Sequence, residues 1–257
     1  MTDRLPPLPH DIEHATQGEA VPGESPFANS APLAGDTGDW PTSAGVPGTG
    51  YRLIHVDASI IVADKASGLL SMPGRGPEKH DSFSVRLQRE FSDALMVHRL
   101  DMNTSGLLVV GRGAEMHSRL SRFFRERRVD KEYVALVDGC PEPGSGEICL
   151  PLAADRDNRP RHRVDLAHGK PSTTRYWRVD YDSVADISRM ALRPLTGRSH
   201  QLRVHMQSLG HPILGDALYA SPAAQAKAPR LCLHATRLAF IHPEHGGWVE
   251  FHCPAPF

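Results

Sequence analysis

Cysteine is scarce in this chain: Cys140, Cys149, Cys232 and Cys253 are the only four in 257 residues, and no two form a CxxC pair. That spacing suggests neither a disulfide framework nor a zinc ribbon, and leaves four incidental thiols. Long apolar runs are missing as well. Nothing approaches the roughly eighteen consecutive apolar residues of a membrane span, and the N-terminus has no basic stretch followed by an apolar one. The chain therefore reads as soluble and cytoplasmic. A GxxxxGK loop, a GxGxxG after a strand and an HExxH helix are all absent, so no motif calls for a bound nucleotide, redox cofactor or metal. His200, His205 and His211 are not spaced i, i+4 and have no carboxylate pattern beside them, which speaks against a metal site there.

What is present divides unevenly. The formal net charge is −1, yet residues 1–50 hold one basic residue (Arg4) against seven acidic ones, leaving 28 basic and 23 acidic for residues 51–257. The first segment also carries eight prolines and seven glycines with no sustained apolar period. Such a composition cannot bury enough surface to order itself, and residues 1–50 read as a disordered acidic tail. The body, residues 51–257, has a net charge of +5, a balance that suits an RNA partner although unrelated domains share it. With 40% hydrophobic residues the chain can build one core, hence one globular domain.

From Tyr51 short apolar runs alternate with turn residues. The runs at 60–63, 107–110 and 133–137 are bounded by charge or glycine, as strands are. Residues 173–181 and 187–192 alternate apolar and polar side chains, as half-exposed antiparallel strands do. A helix capped by Asp81 or Ser82 is expected to run to about Phe91, and another to span about 114–127 with Met116, Leu120 and Phe123 at i, i+4, i+7. A third follows Gly197, with Leu202, Met206 and Leu209 on one stripe. Strands outnumber helices without regular alternation, which predicts an α+β fold with a largely antiparallel sheet.

Three segments can carry chemistry. In Val97-His98-Arg99-Leu100-Asp101, extended backbone would place Arg99 and Asp101 on one face, about 6.6 Å apart at the usual strand rise. The following Met102-Asn103-Thr104-Ser105-Gly106 reads as a loop, where Asp101 fits a turn or cap as well as a catalytic seat. The segment Thr196–Met206 concentrates arginine and histidine on a helix with an apolar stripe; that suits phosphate or carboxylate partners, and equally a solvated face. Arg119, Arg122, Arg125, Arg127, Arg128 and Lys131 crowd the end of the second helix, either as a phosphate-facing patch or as cations favoured by the helix dipole.

Taken together, HRLDMNTSGLLVVGR at 98–112 and TGRSHQLRVHMQSLGHPILGDALYA at 196–220 resemble the RluA family of pseudouridine synthases. IIVADKASGLLSMPGR at 60–75, KEYVALVDG at 131–139 and LCLHATRLAF at 231–240 extend the likeness, in the family's order, over roughly residues 51–257. Asp64 and Ala66 stand where the family commonly has Asn and Pro. The resemblance implies the pseudouridine synthase catalytic fold, a largely antiparallel mixed sheet flanked by helices and loops, and a monomer without metal or organic cofactor. It makes Asp101 the essential aspartate, Tyr133 the tyrosine against the target base, and Arg203 the arginine paired with the aspartate. Leu202 becomes the apolar pocket residue, and Arg99 the side chain that fills the space left by the flipped nucleotide.

The reaction so implied breaks the bond from ribose to uracil N1, turns the base and rejoins it through C5. An ionised Asp101 can attack the ribose or act as a base in elimination to a glycal, and the sequence is compatible with both. Within the family, the compact form and the run LPLAADRDNRPRHRVD with GKPSTTRY are most similar to dual-specificity members, whose substrates are a tRNA anticodon stem-loop and a 23S rRNA hairpin. Three other readings stay open: an rRNA-only synthase of the same family, a non-catalytic RNA-binding module, and a metal-free nucleoside or glycoside hydrolase. The last needs a second placed carboxylate, for which Asp216 is the candidate.

Overall fold

The computed structural model of the protein describes residues 48–257. The acidic, proline-rich segment expected over 1–50 lies outside them except for its last three residues. The elements are β1 (Tyr51–Val56), β2 (Ile60–Lys65), α1 (Phe83–Gln88), β3 (Ala94–Met96), β4 (Ser105–Arg112), α2 (Gly113–Arg125), β5 (Val129–Asp138) and β6 (Ser145–Cys149). There follow β7 (Leu152–Ala154), β8 (His162–Val164), β9 (Thr173–Asp182), β10 (Ile187–Pro194), α3 (Gln201–Ser208), α4 (Pro222–Ala226), β11 (Leu233–Ile241) and β12 (Trp248–His252). No helix among the described residues is long and apolar enough to cross a membrane.

One ten-stranded sheet runs in the order β1-β2-β4-β11-β5-β10-β9-β6, with β12 added to β11 and β3 to β4. Every pairing in it is antiparallel except β4 with β11, where His234 lies beside Ser105 and Ala235 beside Gly106. The α+β expectation holds. Gly106 is required at the parallel contact: its φ is +109°, and a Cβ there would collide with the Ala235 backbone.

The continuous apolar runs in β2 and β4 have a direct cause. Ile60, Val62, Leu107 and Val109 pack with Leu120 and Phe123 of α2, while Ile61, Ala63, Leu108 and Val110 pack with Phe83 and Leu87 of α1. Helices on both faces leave no side of these strands in water, so neither face can be polar. A third core joins β5 and β10 to Leu202 and Met206 of α3.

Three local expectations shift. The Ser82 hydroxyl caps α1, but regular helix ends at Gln88 rather than Phe91, and Glu90 and Phe91 close turns on the Leu87 carbonyl instead. The third helix starts only at Gln201, because the Gln201 side chain ties back the Thr196 hydroxyl and the Arg198 amide. The Val97–Asp101 segment is not a strand. β3 stops at Met96, and the chain beyond it is held by side chains from other segments.

Candidate active site

The chain around Asp101 is pinned on both sides. The Ser71 hydroxyl donates to the Leu100 carbonyl at 2.6 Å and accepts from the Leu100 amide at 3.0 Å. After the aspartate, Lys65 donates its three ammonium protons to the carbonyls of Ala66, Leu69 and Met102 at 2.8, 2.8 and 3.0 Å. Burial pushes the Lys65 pKa down to about 7, opposed by the charges of Asp101 and Asp64. The Thr104 amide closes the turn on the Asp101 carbonyl at 3.1 Å. Backbone bonds therefore fix Asp101 from both sides before its carboxylate engages anything.

The carboxylate meets α3. Arg203 Nη1 stands 3.4 Å from Asp101 Oδ2, while its Nε and Nη2 make a two-pronged ion pair with Asp216, both contacts at 2.7 Å. Asp216 is fully buried and also accepts from the amides of Leu218 and Tyr219, so its geometry is fixed by the Gly215-Asp216-Ala217 turn. Burial works against the Arg203 charge, but its bonds to Asp216 and the charge of Asp101 hold its pKa above the usual value. Asp216 is thus committed to arginine and offers no free second acid of the kind the hydrolase reading needs. Among the described residues, the side-chain hydrogen bond to the Asp101 carboxylate goes to Oδ2, and none goes to Oδ1.

Asp101 opens into a cleft of about 910 Å³. Leu202 and Tyr133 line it, with Tyr133 packed between two of the hydrophobic cores. Burial raises the Tyr133 phenol well above its ordinary pKa, reinforced by the Asp101 charge, so the group stays protonated. The cleft also holds Arg99, Arg125, Arg127, Lys131, Arg193, Arg198 and Arg203 against Asp101 and Asp130 alone, a strongly cationic lining. Arg99 is exposed at the rim and donates to the Ser199 hydroxyl at 3.2 Å.

All five residues singled out from the sequence, Arg99, Asp101, Tyr133, Leu202 and Arg203, come together here. The basic end of α2 divides: Arg125 and Arg127 reach the cleft, whereas Arg119 pairs with Glu115 and Arg128 with Glu126. The histidines separate too, with His205 bonded to Thr174 and Leu150, and His211 to the Asp138 carbonyl. Asp64, His234 and Cys253 place ligand-type atoms within 4.8 Å of one another. However, both His234 nitrogens are occupied, by the Ser105 hydroxyl and the Cys253 carbonyl, and Arg52 lies 3.6 Å from both Asp64 and Cys253. His200, Tyr219 and Ser71 were not singled out for the site, and no local spacing marks them.

The chain is similar to several known proteins. Residues 59–208 match the family model described as RNA pseudouridylate synthase. The chain is 50% identical over 205 residues to the dual-specificity RNA pseudouridine synthase RluA of Escherichia coli K12, covering 80% of this chain and 93% of that one. The protein of the same name from Pasteurella multocida is 46% identical over the same shares. Among solved structures, human RNA pseudouridylate synthase domain containing 1 superposes with a TM-score of 0.70 at 28% identity, covering 83% of this chain and 87% of that one.

Proposed function

The chain belongs to the RNA pseudouridylate synthase family and isomerises uridine to pseudouridine in RNA, and from that premise we propose that Asp101 is its reactive carboxylate and Tyr133 and Arg203 its partners. The observation that carries this reading is the meeting of Arg203 with Asp101 Oδ2 at 3.4 Å, on a cationic cleft, with Oδ1 left free. Oδ1 is the atom that attacks ribose C1′, or removes a ribose proton in the elimination route. Arg203 keeps the carboxylate oriented and charged.

Once the bond to N1 is broken, the detached uracil must be kept and turned. Tyr133 supplies a ring against which the base lies, and its phenol oxygen takes up the proton that C5 loses while passing its own proton on. Leu202 closes the apolar side of the pocket. A stacked target base costs a few kcal/mol to turn out, which contacts with the RNA backbone must offset. Arg99 at the rim fills the vacated space, and Arg125, Arg127 and Arg198 take phosphates. The hairpin of β7 and β8, with Arg156, Arg159, Arg161 and Arg163 exposed, gives the RNA a second basic surface. Recognition then follows loop shape and splayed bases rather than an A-form groove.

The substrates are a tRNA anticodon-loop uridine and a 23S rRNA hairpin uridine, by likeness to the dual-specificity relatives. The enzyme acts as a cytoplasmic monomer, with residues 51–257 as the catalytic domain and 1–50 as a tail. Reaction of the full chain with an in vitro transcribed anticodon stem-loop and with the rRNA hairpin, followed by carbodiimide mapping, tests the specificity. One marked loop uridine in each RNA is expected; marking of the hairpin alone would identify the rRNA-only alternative.

A further inference from the structure

Arg203 and Asp216 account for one side of Asp101. The other side is taken by a group that the reaction, as derived above, leaves without a role. His200 precedes α3 with φ 56° and ψ 16°, a left-handed backbone that side chains other than glycine rarely adopt. Its side chain is 13% exposed, and its Nε2 stands 3.9 Å from Asp101 Oδ2, the same oxygen that faces Arg203. On the far side of the ring, Nδ1 lies 2.6 Å from the Tyr219 hydroxyl.

The hydrogen accounting along this chain of contacts favours one arrangement. The Tyr219 oxygen accepts the His162 backbone N–H at 2.7 Å. Its single proton then meets, among the described residues, one acceptor, which is His200 Nδ1. The hydroxyl therefore donates to Nδ1, and a neutral imidazole must carry its own hydrogen on Nε2, directed at Asp101. Burial pushes the His200 pKa down to about 4, with the Asp101 charge opposing and those of Arg203 and His162 assisting, so the ring is neutral at neutral pH.

We infer that His200 is a positioning residue for the reaction: its Nε2–H, fixed by the Tyr219 hydroxyl and through it by the His162 amide of the β7–β8 hairpin, steadies Asp101 Oδ2 and leaves Oδ1 to react. The inference rests on the reading of Asp101 given above. At 3.9 Å the contact is longer than a hydrogen bond, and contacts of this kind in unliganded active sites commonly tighten in the substrate complex. Because the relay ends in the basic hairpin, RNA seated there bears directly on the orientation of the carboxylate.

A pair of substitutions separates this role from a purely structural one. The amide nitrogen of glutamine stands near the position of Nε2, and that of asparagine near Nδ1; asparagine, in turn, tolerates the left-handed backbone better. His200→Gln therefore keeps the donor toward Asp101 in a less favourable backbone, and His200→Asn does the reverse. Single-turnover rates are measured by tritium release from RNA containing uridine tritiated at C5, with RNA affinity, melting temperature and Asp101→Asn alongside. The expected result is a rate within about tenfold of wild type for Gln and a loss of about 100-fold for Asn, with affinity for RNA alike in both. An Asn variant as fast as Gln or faster, beside an inactive Asp101→Asn, would overturn this inference alone. A wild-type rate in Asp101→Asn would overturn the reading of the site and the inference with it.

Discussion

Arg203 directs two of its nitrogens inward, to Asp216, and one outward, to Asp101. A buried guanidinium with a single carboxylate partner would close on Asp101 in a two-pronged pair and occupy both of its oxygens. Sharing the charge with Asp216 leaves Arg203 a single hydrogen bond for Asp101, and that bond goes to Oδ2. Tyr133 differs: burial raises its pKa and keeps the phenol protonated, so in the proposed role its oxygen takes up the C5 proton only while passing its own proton on. Tyr133→Phe should lower the single-turnover rate by about 10²- to 10⁴-fold while RNA affinity changes little, as rate and filter-binding measurements can establish. At this scale Asp101, Arg99, Tyr133, Leu202 and Arg203 were legible because their motifs carry the family's pattern. Asp216 was legible as a carboxylate, and its commitment to arginine was not. His200 and Tyr219 escaped because the contacts that give them meaning join residues 19, 57 and 99 positions apart, where no periodicity operates.

At the scale of elements, α2 is the simplest case. Its i, i+4, i+7 pattern was readable, and the structure buries Leu120 and Phe123 against β2 and β4. Leu120→Ala should cost about 2–5 kcal/mol of stability, measured by urea denaturation, since the side chain lies wholly inside the core. The segment before β4 was harder. Extended backbone over 97–101 would have put Arg99 and Asp101 on one face, but the segment pairs with no strand, and the Ser71 hydroxyl, from earlier in the chain, takes both backbone hydrogen bonds of Leu100. The start of α3 was misplaced for a related reason: Gln201 replaces a first helical turn with side-chain bonds to Thr196 and Arg198. Local spacing reports apolar faces, and these two segments are governed by polar side chains reaching back along the chain.

Across the whole molecule, the sheet places the site. The parallel contact between β4 and β11 brings the end of the Asp101 loop beside the strand that pairs with Tyr133. Neither that pairing nor the strand order could be read from composition or period, since antiparallel and parallel neighbours share the same apolar runs. The charge division was readable in advance, and the cationic cleft is where it matters. A pH dependence follows from three histidines held neutral by burial: His98, pushed down to about 3 with Lys131 assisting, and His200 and His234, each pushed down to about 4. In the unfolded chain these groups take up protons near pH 6.5, so below that value the unfolded state binds more protons than the folded one. Their contribution is complete above about pH 6.5 and is lost as pH falls toward about 4. Melting temperature should therefore fall progressively over that interval, and a flat profile from pH 6.5 to 4.5 would contradict the burial of neutral imidazoles.

The most direct test of the account is the reactivity of one carboxylate. RNA containing uridine tritiated at C5 is incubated with wild-type protein and with Asp101→Asn under single-turnover conditions, with RNA binding measured in parallel. Wild type should release tritium as C5 exchanges its hydrogen for the bond to ribose. Asp101→Asn should bind the RNA within a few-fold of wild type and lose at least about 10³-fold in rate, because the amide can neither attack the sugar nor accept its proton. Tritium release by Asp101→Asn at a rate near that of wild type would contradict the central claim and move the reactive group elsewhere in the cleft.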